Sequence, residues 1–190
     1  MTRFWFVRHG PTHAKAMVGW TDIAADLSDT AQIARLSAYL PAKAIVISSD
    51  LIRASATADA LTGTRQRLPH DPDLRELHFG DWEMKHHTEI EAQDPDRIRA
   101  YWDQPGDVRA PGGETWNEAV SRVSRAIDRL VQAHDGDIIV VAHFGAILTQ
   151  LQRALGIDAY DVFANRIDNL SVTQISFDGT WAVGKINHNP

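Results

Sequence analysis

The chain has 190 residues, enough to bury one sizeable core and too few for two large domains. Its 44% hydrophobic and 23% charged residues are those of an ordinary soluble globular protein. The absence of cysteine excludes disulfides, thiolate zinc sites, iron–sulfur clusters and any thiol nucleophile, while a net charge of −6 argues against a broad nucleic-acid or anionic-membrane surface and still permits a local cationic pocket.

In chain order, Phe4-Trp5-Phe6-Val7 closed by Gly10-Pro11 predicts a buried strand. Leu27 to Leu40 predicts a helix, capped by Ser28 or Asp29, striped by Ile33, Leu36 and Leu40, and ended by Pro41. Ala44 to Ile47 predicts a second buried strand, followed from Asp50 by an alanine-rich helix that Gly63 stops. Residues 69–111, rich in proline, charge, Trp and His, break the pattern and predict an excursion over one edge of the sheet. Glu114 to His134 is the longest helical stretch, with Trp116, Val120, Val123, Ile127, Leu130 and Val131 on one face and Glu114 and Thr115 placed to cap it. Asp137 to Ala142 predicts a third buried strand leading from His143 into a helix through Leu151, and two strands are expected around Asp178-Gly179. The alternation predicts a single domain over residues 1–190, a three-layer α/β/α sandwich with a mostly parallel central sheet. No signal peptide and no membrane-length apolar run are visible, so a cytoplasmic protein is expected.

Polar groups directly follow the three predicted strands: Arg8 and His9, then Ser48-Ser49 with Arg53 one turn into the next helix, and His143. Ligands bind at the carboxyl ends of open parallel sheets, where loops and helix amino termini converge. Two arginines and two histidines on one rim make an anion pocket suited to phosphate, because guanidinium forks match its oxygens. Taken singly, each has a plainer reading: a capped strand end, a surface ion pair, or a satisfied core histidine for His143.

Arg8-His9-Gly10-Pro11-Thr12 resembles the Arg-His-Gly signature of the histidine phosphatase superfamily, which includes phosphoglycerate mutases and many small phosphatases. The segments Ser48 to Ala58, Leu74 to Glu83, Pro111 to Thr115, Val140 to His143 and Asn169 to Thr173 resemble its further motifs, in the family's order. The acid-bearing segment is most similar to small phosphatases such as those of the α-ribazole phosphatase type. The resemblance implies a phosphomonoester hydrolase without metal or other cofactor, with His9 as nucleophile, Arg8, Arg53 and His143 holding the phosphoryl oxygens, and Glu76 as general acid and base. The alternatives are a phosphoglycerate mutase, which returns the phosphoryl group to a bound intermediate, and a non-catalytic phospho-ligand sensor.

Glu83 and Asp81 lie close enough in sequence to compete with Glu76 for the acid role. Thr12, Lys15, Trp20, Thr21 and Phe144 are candidate substrate contacts. Two family glycines are replaced, by Phe144 after the second histidine and by Met84 after Glu83, and the first replacement is expected to narrow the pocket or to alter a backbone donor. His86 and His87, with Glu89 and Glu91, match no zinc spacing and read as a solvated segment. The expected partner is a small phosphorylated metabolite, with no nucleic acid and no membrane, and a homodimer left open.

Overall fold

The computed structural model describes residues 1–190. The chain runs through β1 (Thr2–Arg8), α1 (Thr30–Tyr39), β2 (Ala44–Ser48), α2 (Ile52–Thr62), β3 (Gln66–Arg67), α3 (His87–Gln93), α4 (Pro95–Asp103), α5 (Trp116–Ala133), β4 (Gly136–Ala142), α6 (Phe144–Leu155), α7 (Ala159–Val162), β5 (Val172–Phe177) and β6 (Trp181–Val183). The six strands form one sheet in the order β3-β2-β4-β1-β5-β6. Strands β3, β2, β4 and β1 are parallel, whereas β5 and β6 extend the β1 edge antiparallel. The α/β sandwich with a mostly parallel sheet is therefore present.

Strand β4 is apolar almost throughout because it lies between β1 and β2 and is covered on both faces. Its alternate residues separate the two cores. Ile138, Val140 and Ala142 join Phe4 and Phe6 beneath α5 and α6, while Ile139 and Val141 join Val7 and Val46 beneath α1 and α2. The long helix α5 starts at a capping box in which the Thr115 hydroxyl accepts from the Glu118 amide and the Glu118 carboxylate accepts from the Thr115 amide. Glu114, expected to share in capping, pairs with Arg122 instead.

The 69–111 segment contains two 3₁₀ turns, Pro72–Leu74 and Gly80–Trp82, and the short helices α3 and α4. It is not a detached flap: Leu74, Leu77, Phe79, Trp82, Ile90, Ile98 and Tyr101 are buried in the same cluster as the α5 and α6 side chains. His86 and His87 sit at the start of α3, where the His86 amide donates to Glu89 and His87 faces Glu91 across one helical turn. No helix is long and apolar enough to cross a membrane.

Candidate active site

The carboxyl ends of β1, β2 and β4 share one rim, and backbone bonds continue past the strands there. The His9 amide donates to the Ala142 carbonyl at 3.0 Å and the Ser49 amide to Val141 at 3.1 Å. His9 and His143 are thereby brought to a ring-centroid separation of 5.1 Å, and both are buried.

The orientation of His9 is set by its neighbours. Its Nδ1 lies 2.7 Å from the Gly10 carbonyl, which can only accept, so Nδ1 carries the proton and Nε2 presents its lone pair. Arg53, in the first turn of α2, donates Nε to that Nε2 at 3.3 Å. Its other nitrogens donate to the carbonyls of Thr21 at 3.0 Å and Gly19 at 2.6 Å, which fixes the guanidinium plane. Burial, and then the Arg53 charge, push the His9 imidazole down to about 3, so it is neutral at physiological pH. Burial first, and then the neighbouring His9 and Arg53, hold His143 well below its ordinary value. Neither ring nitrogen of His143 has a partner within the protein, and neither has Nε of Arg8. Arg8 is anchored from Nη1 to the Ile167 carbonyl at 2.7 Å and lies 5.6 Å above the Phe144 ring.

Glu76 is the buried carboxyl of the group. It accepts from the Leu77 amide at 3.0 Å and from the Gly145 amide at 3.2 Å. Burial raises its pKa, against the opposing pull of those amides and of Arg53 and Arg8. Glu83 behaves in the opposite way. Burial alone would raise it, but its carboxylate accepts from the Thr21 hydroxyl and from the amides of Gly19, Trp20, Thr21 and Phe79, and the net shift is downward. Glu83 is thus an ionised staple between the loop after His9 and the 77–83 segment. Asp81 is exposed. Of the three neighbouring carboxyls, only Glu76 is both buried and raised.

The other expected contacts divide. Trp20 and Thr21 are built into the wall: the Trp20 indole donates to the Glu76 carbonyl at 2.8 Å, and the Thr21 hydroxyl serves Glu83. Thr12 is half-buried and Lys15 is exposed. Phe144 is half-buried beneath the Arg8 guanidinium, and the amide that follows it in the chain, that of Gly145, donates to Glu76. Met84 adopts the left-handed conformation, φ 61°, where the family's usual glycine needs no strain. Its amide is bonded to the Met17 carbonyl at 2.8 Å.

Three residues to which the sequence assigns no role frame the centre. The Thr57 hydroxyl accepts from the Gly10 amide, Asn169 donates its side-chain amide to the His9 carbonyl, and Arg122 donates to the Glu76 carbonyl. Thr57 and Asn169 lie in the recognisable segments. The signal for Arg122 is a charged residue on the inner face of α5 between Ala119 and Val123.

The sequence model of the histidine phosphatase superfamily (branch 1) matches residues 4–189. The chain is 30% identical over 193 residues to the adenosylcobalamin/alpha-ribazole phosphatase of Escherichia coli strain K12, covering 97% of this chain and 90% of that protein. Among solved structures it is similar to Bacillus stearothermophilus YhfR, with TM-score 0.90, 28% identity and coverage of 99% and 98% of the two chains. It is also similar to a mycobacterial glucosyl-3-phosphoglycerate phosphatase, with TM-score 0.85, 26% identity and 99% of each chain covered. With its sheet, its rim of paired histidines and arginines and almost its whole length accounted for, the chain belongs to the histidine phosphatase superfamily and is a phosphatase.

Proposed function

We propose that the protein is a cytoplasmic phosphomonoester hydrolase that acts on a small phosphorylated metabolite through a phosphohistidine at His9. The observation that carries this reading is a set of buried, unpartnered nitrogens beside His9: the N–H and the lone-pair nitrogen of the His143 ring, whose centroid is 5.1 Å from that of His9, and Nε of Arg8. Leaving such groups unpaired costs on the order of 1–3 kcal/mol each, and the oxygens of a phosphoryl group accept from the His143 N–H and from Arg8 Nε. The fold, residues 1–190, acts as one domain, and the 69–111 segment covers the substrate.

The neutral Nε2 lone pair attacks phosphorus in line as the ester P–O bond breaks. Arg8, Arg53 and His143 hold the non-bridging oxygens, where the charge is concentrated. Glu76, whose pKa burial raises, gives its proton to the departing alkoxide. The resulting carboxylate then takes a proton from water as that water attacks the phosphohistidine, which releases inorganic phosphate and restores both groups. Trp20, Thr21 and Phe144 shape the walls, and Thr12 and Lys15 face the entering substrate.

Hydrolysis is favoured over phosphoryl return because similar proteins and solved structures bear the names of phosphatases. The names of the relatives, alpha-ribazole phosphatase and glucosyl-3-phosphoglycerate phosphatase, point to small phosphorylated molecules as the panel to screen. Rapid quench with an aryl phosphate should trap an acid-labile, base-stable phosphoprotein that disappears in His9→Ala together with turnover. Sustained 2-phosphoglycerate production from 3-phosphoglycerate without free phosphate would show a mutase. Neither label nor turnover across the panel would leave a phospho-ligand sensor.

A further inference from the structure

The segment that carries Glu76 has no regular secondary structure, yet its backbone is clamped. Arg122, buried on the inner face of α5, donates Nη1 to the carbonyls of Asp73 at 2.8 Å and Arg75 at 3.0 Å, and Nη2 to the Glu76 carbonyl at 3.1 Å. Its guanidinium is held from the other side by Glu114, with Nη2 at 2.5 Å from Oε1 and Nε at 3.2 Å from Oε2. The same Glu114 Oε1 accepts from the His78 amide at 3.0 Å, so the ion pair grips the chain on both sides of Glu76. The second donor on the Glu76 carbonyl is the Trp20 indole, whose ring lies under the guanidinium carbons of Arg75 and Arg122 at 4.7 and 5.8 Å.

A buried ion pair is weak evidence of stabilisation, since apolar residues in its place often serve stability as well or better. Around Arg122 the stripe continues with Ala119, Val123 and Ala126, where an apolar side chain would pack. What an apolar side chain cannot do is hold the carbonyl of Asp73 at the 3₁₀ turn and those of Arg75 and Glu76 just beyond it in fixed relation. We propose that Arg122 is a positioning residue for the proton donor: with Trp20 it fixes the Glu76 backbone so that the carboxyl meets the leaving oxygen. This rests on the reading of Glu76 as general acid.

A positioning role of this kind has a chemical signature. Proton donation matters for alkoxide leaving groups and little for p-nitrophenolate, whereas a general loosening of the site affects both. General acid catalysis contributes on the order of 10²–10⁴-fold, so Arg122→Lys, which keeps the charge and loses the fork, should lower kcat on n-propyl phosphate by roughly 10–100-fold and on p-nitrophenyl phosphate by only about two- to threefold. KM should move little on either substrate. In a Glu76→Gln background the same change should cost nothing further on n-propyl phosphate. Equal losses on the two substrates, full loss retained beside Glu76→Gln, or no loss at all would overturn the proposal. If Arg122→Lys does not fold, Trp20→Phe takes the indole N–H away from the same carbonyl and keeps a smaller aromatic ring beneath Arg122; it should give a smaller loss with the same leaving-group pattern, and a uniform loss again overturns the proposal. A Glu76→Gln variant that slows both substrates equally would remove Glu76 from the acid role, a failure of the underlying reading that is seen before Arg122 is changed.

Discussion

The two ends of the parallel strands carry similar charged residues in opposite states. At the amino end, Lys43, Arg65, Asp135 and Asp137 line an open depression of about 500 Å³. Arg65 there donates to the carbonyls of Ser37, Leu40, Pro41 and Leu61, closing the carboxyl ends of α1 and α2, and Asp137 accepts from Arg3 and the Trp5 indole. At the carboxyl end, His9, Arg53, Glu76 and His143 are buried, and some of the donors there have no partner. The difference separates two uses of charge. At the amino end Arg65 and Asp137 find their partners within the chain and build the fold, whereas at the carboxyl end nitrogens of His143 and Arg8 are buried and left open, as the proposed phosphate site requires.

Strand β4 joins both ends and places a glycine near each, so the largest test of the contrast is at Gly145. A Cβ there would lie 2.5 Å from Glu76 Oε1 and 2.9 Å from Leu77 Cγ. Alanine is the better helix former by roughly 1 kcal/mol, but it cannot enter without displacing the carboxyl. Because a misplacement of about 1 Å can cost on the order of 10²-fold, Gly145→Ala should reduce kcat on alkyl phosphates by roughly 10–100-fold, with less effect on p-nitrophenyl phosphate. Steady-state rates on the two substrates check this, and an unchanged alkyl phosphatase would show that the carboxyl is free to move.

The second test uses acid. His9 is held down to about 3 and His143 well below its ordinary value, so as the pH falls below 6.5 the unfolded chain binds protons at these positions that the folded chain refuses, at His9 until about pH 3. Their contribution to stability is complete above pH 6.5 and is lost as the pH falls below it, by about 1.4 kcal/mol per unit for each histidine. Glu76 is shifted upward and acts in the other direction: its contribution is present at low pH and lost as pH rises through its folded pKa. The histidines outnumber it, so denaturant midpoints in phosphate-free buffer should fall from pH 6.5 to pH 5, and more steeply in the wild type than in His9→Ala. Parallel profiles would mean that His9 titrates alike in both states.

Much of the carboxyl end is legible in the sequence, for a physical reason. Central parallel strands are covered on both faces, so β1, β2 and β4 appear as short apolar runs, and the residues at or directly after their carboxyl ends, Arg8, His9 and His143, necessarily reach the rim. Arg53 follows because α2 starts within a few residues of β2. Glu76 is different. Nothing in its local periodicity distinguishes it from Glu83 or Asp81; family resemblance selects it, and the geometry separates them by counting donors on each carboxylate. The Arg122 clamp is least legible, because its partners on the acid segment lie 46 to 49 residues away and a pattern read along one helix shows only that a charge faces inward. The excursion hides its helices similarly. Asp94-Pro95 is a sound start for α4, with the Asp94 side chain accepting from the Arg97 amide, but it sits in a stretch so charged that the apolar stripe thins to Ile98 and Tyr101.

The smallest effect is expected at the other glycine of the pair. Gly136 begins β4 with φ 89°, and a Cβ added there would meet nothing within 4 Å. Space is therefore available and only the backbone conformation resists, the reverse of Gly145, where the space is taken. For an L residue that conformation costs roughly 1–2 kcal/mol, which in a chain of this size lowers Tm by about 2–8 °C. The cost falls at the end of the strand remote from His9 and His143, and it displaces no side chain, so kcat and KM of the Gly136→Ala protein should equal those of the wild type at a temperature where both are folded. Calorimetry and steady-state kinetics on one preparation check both halves. A change in kcat would mean that strain travels along β4 from its amino end to the rim, and that the two ends are not independent.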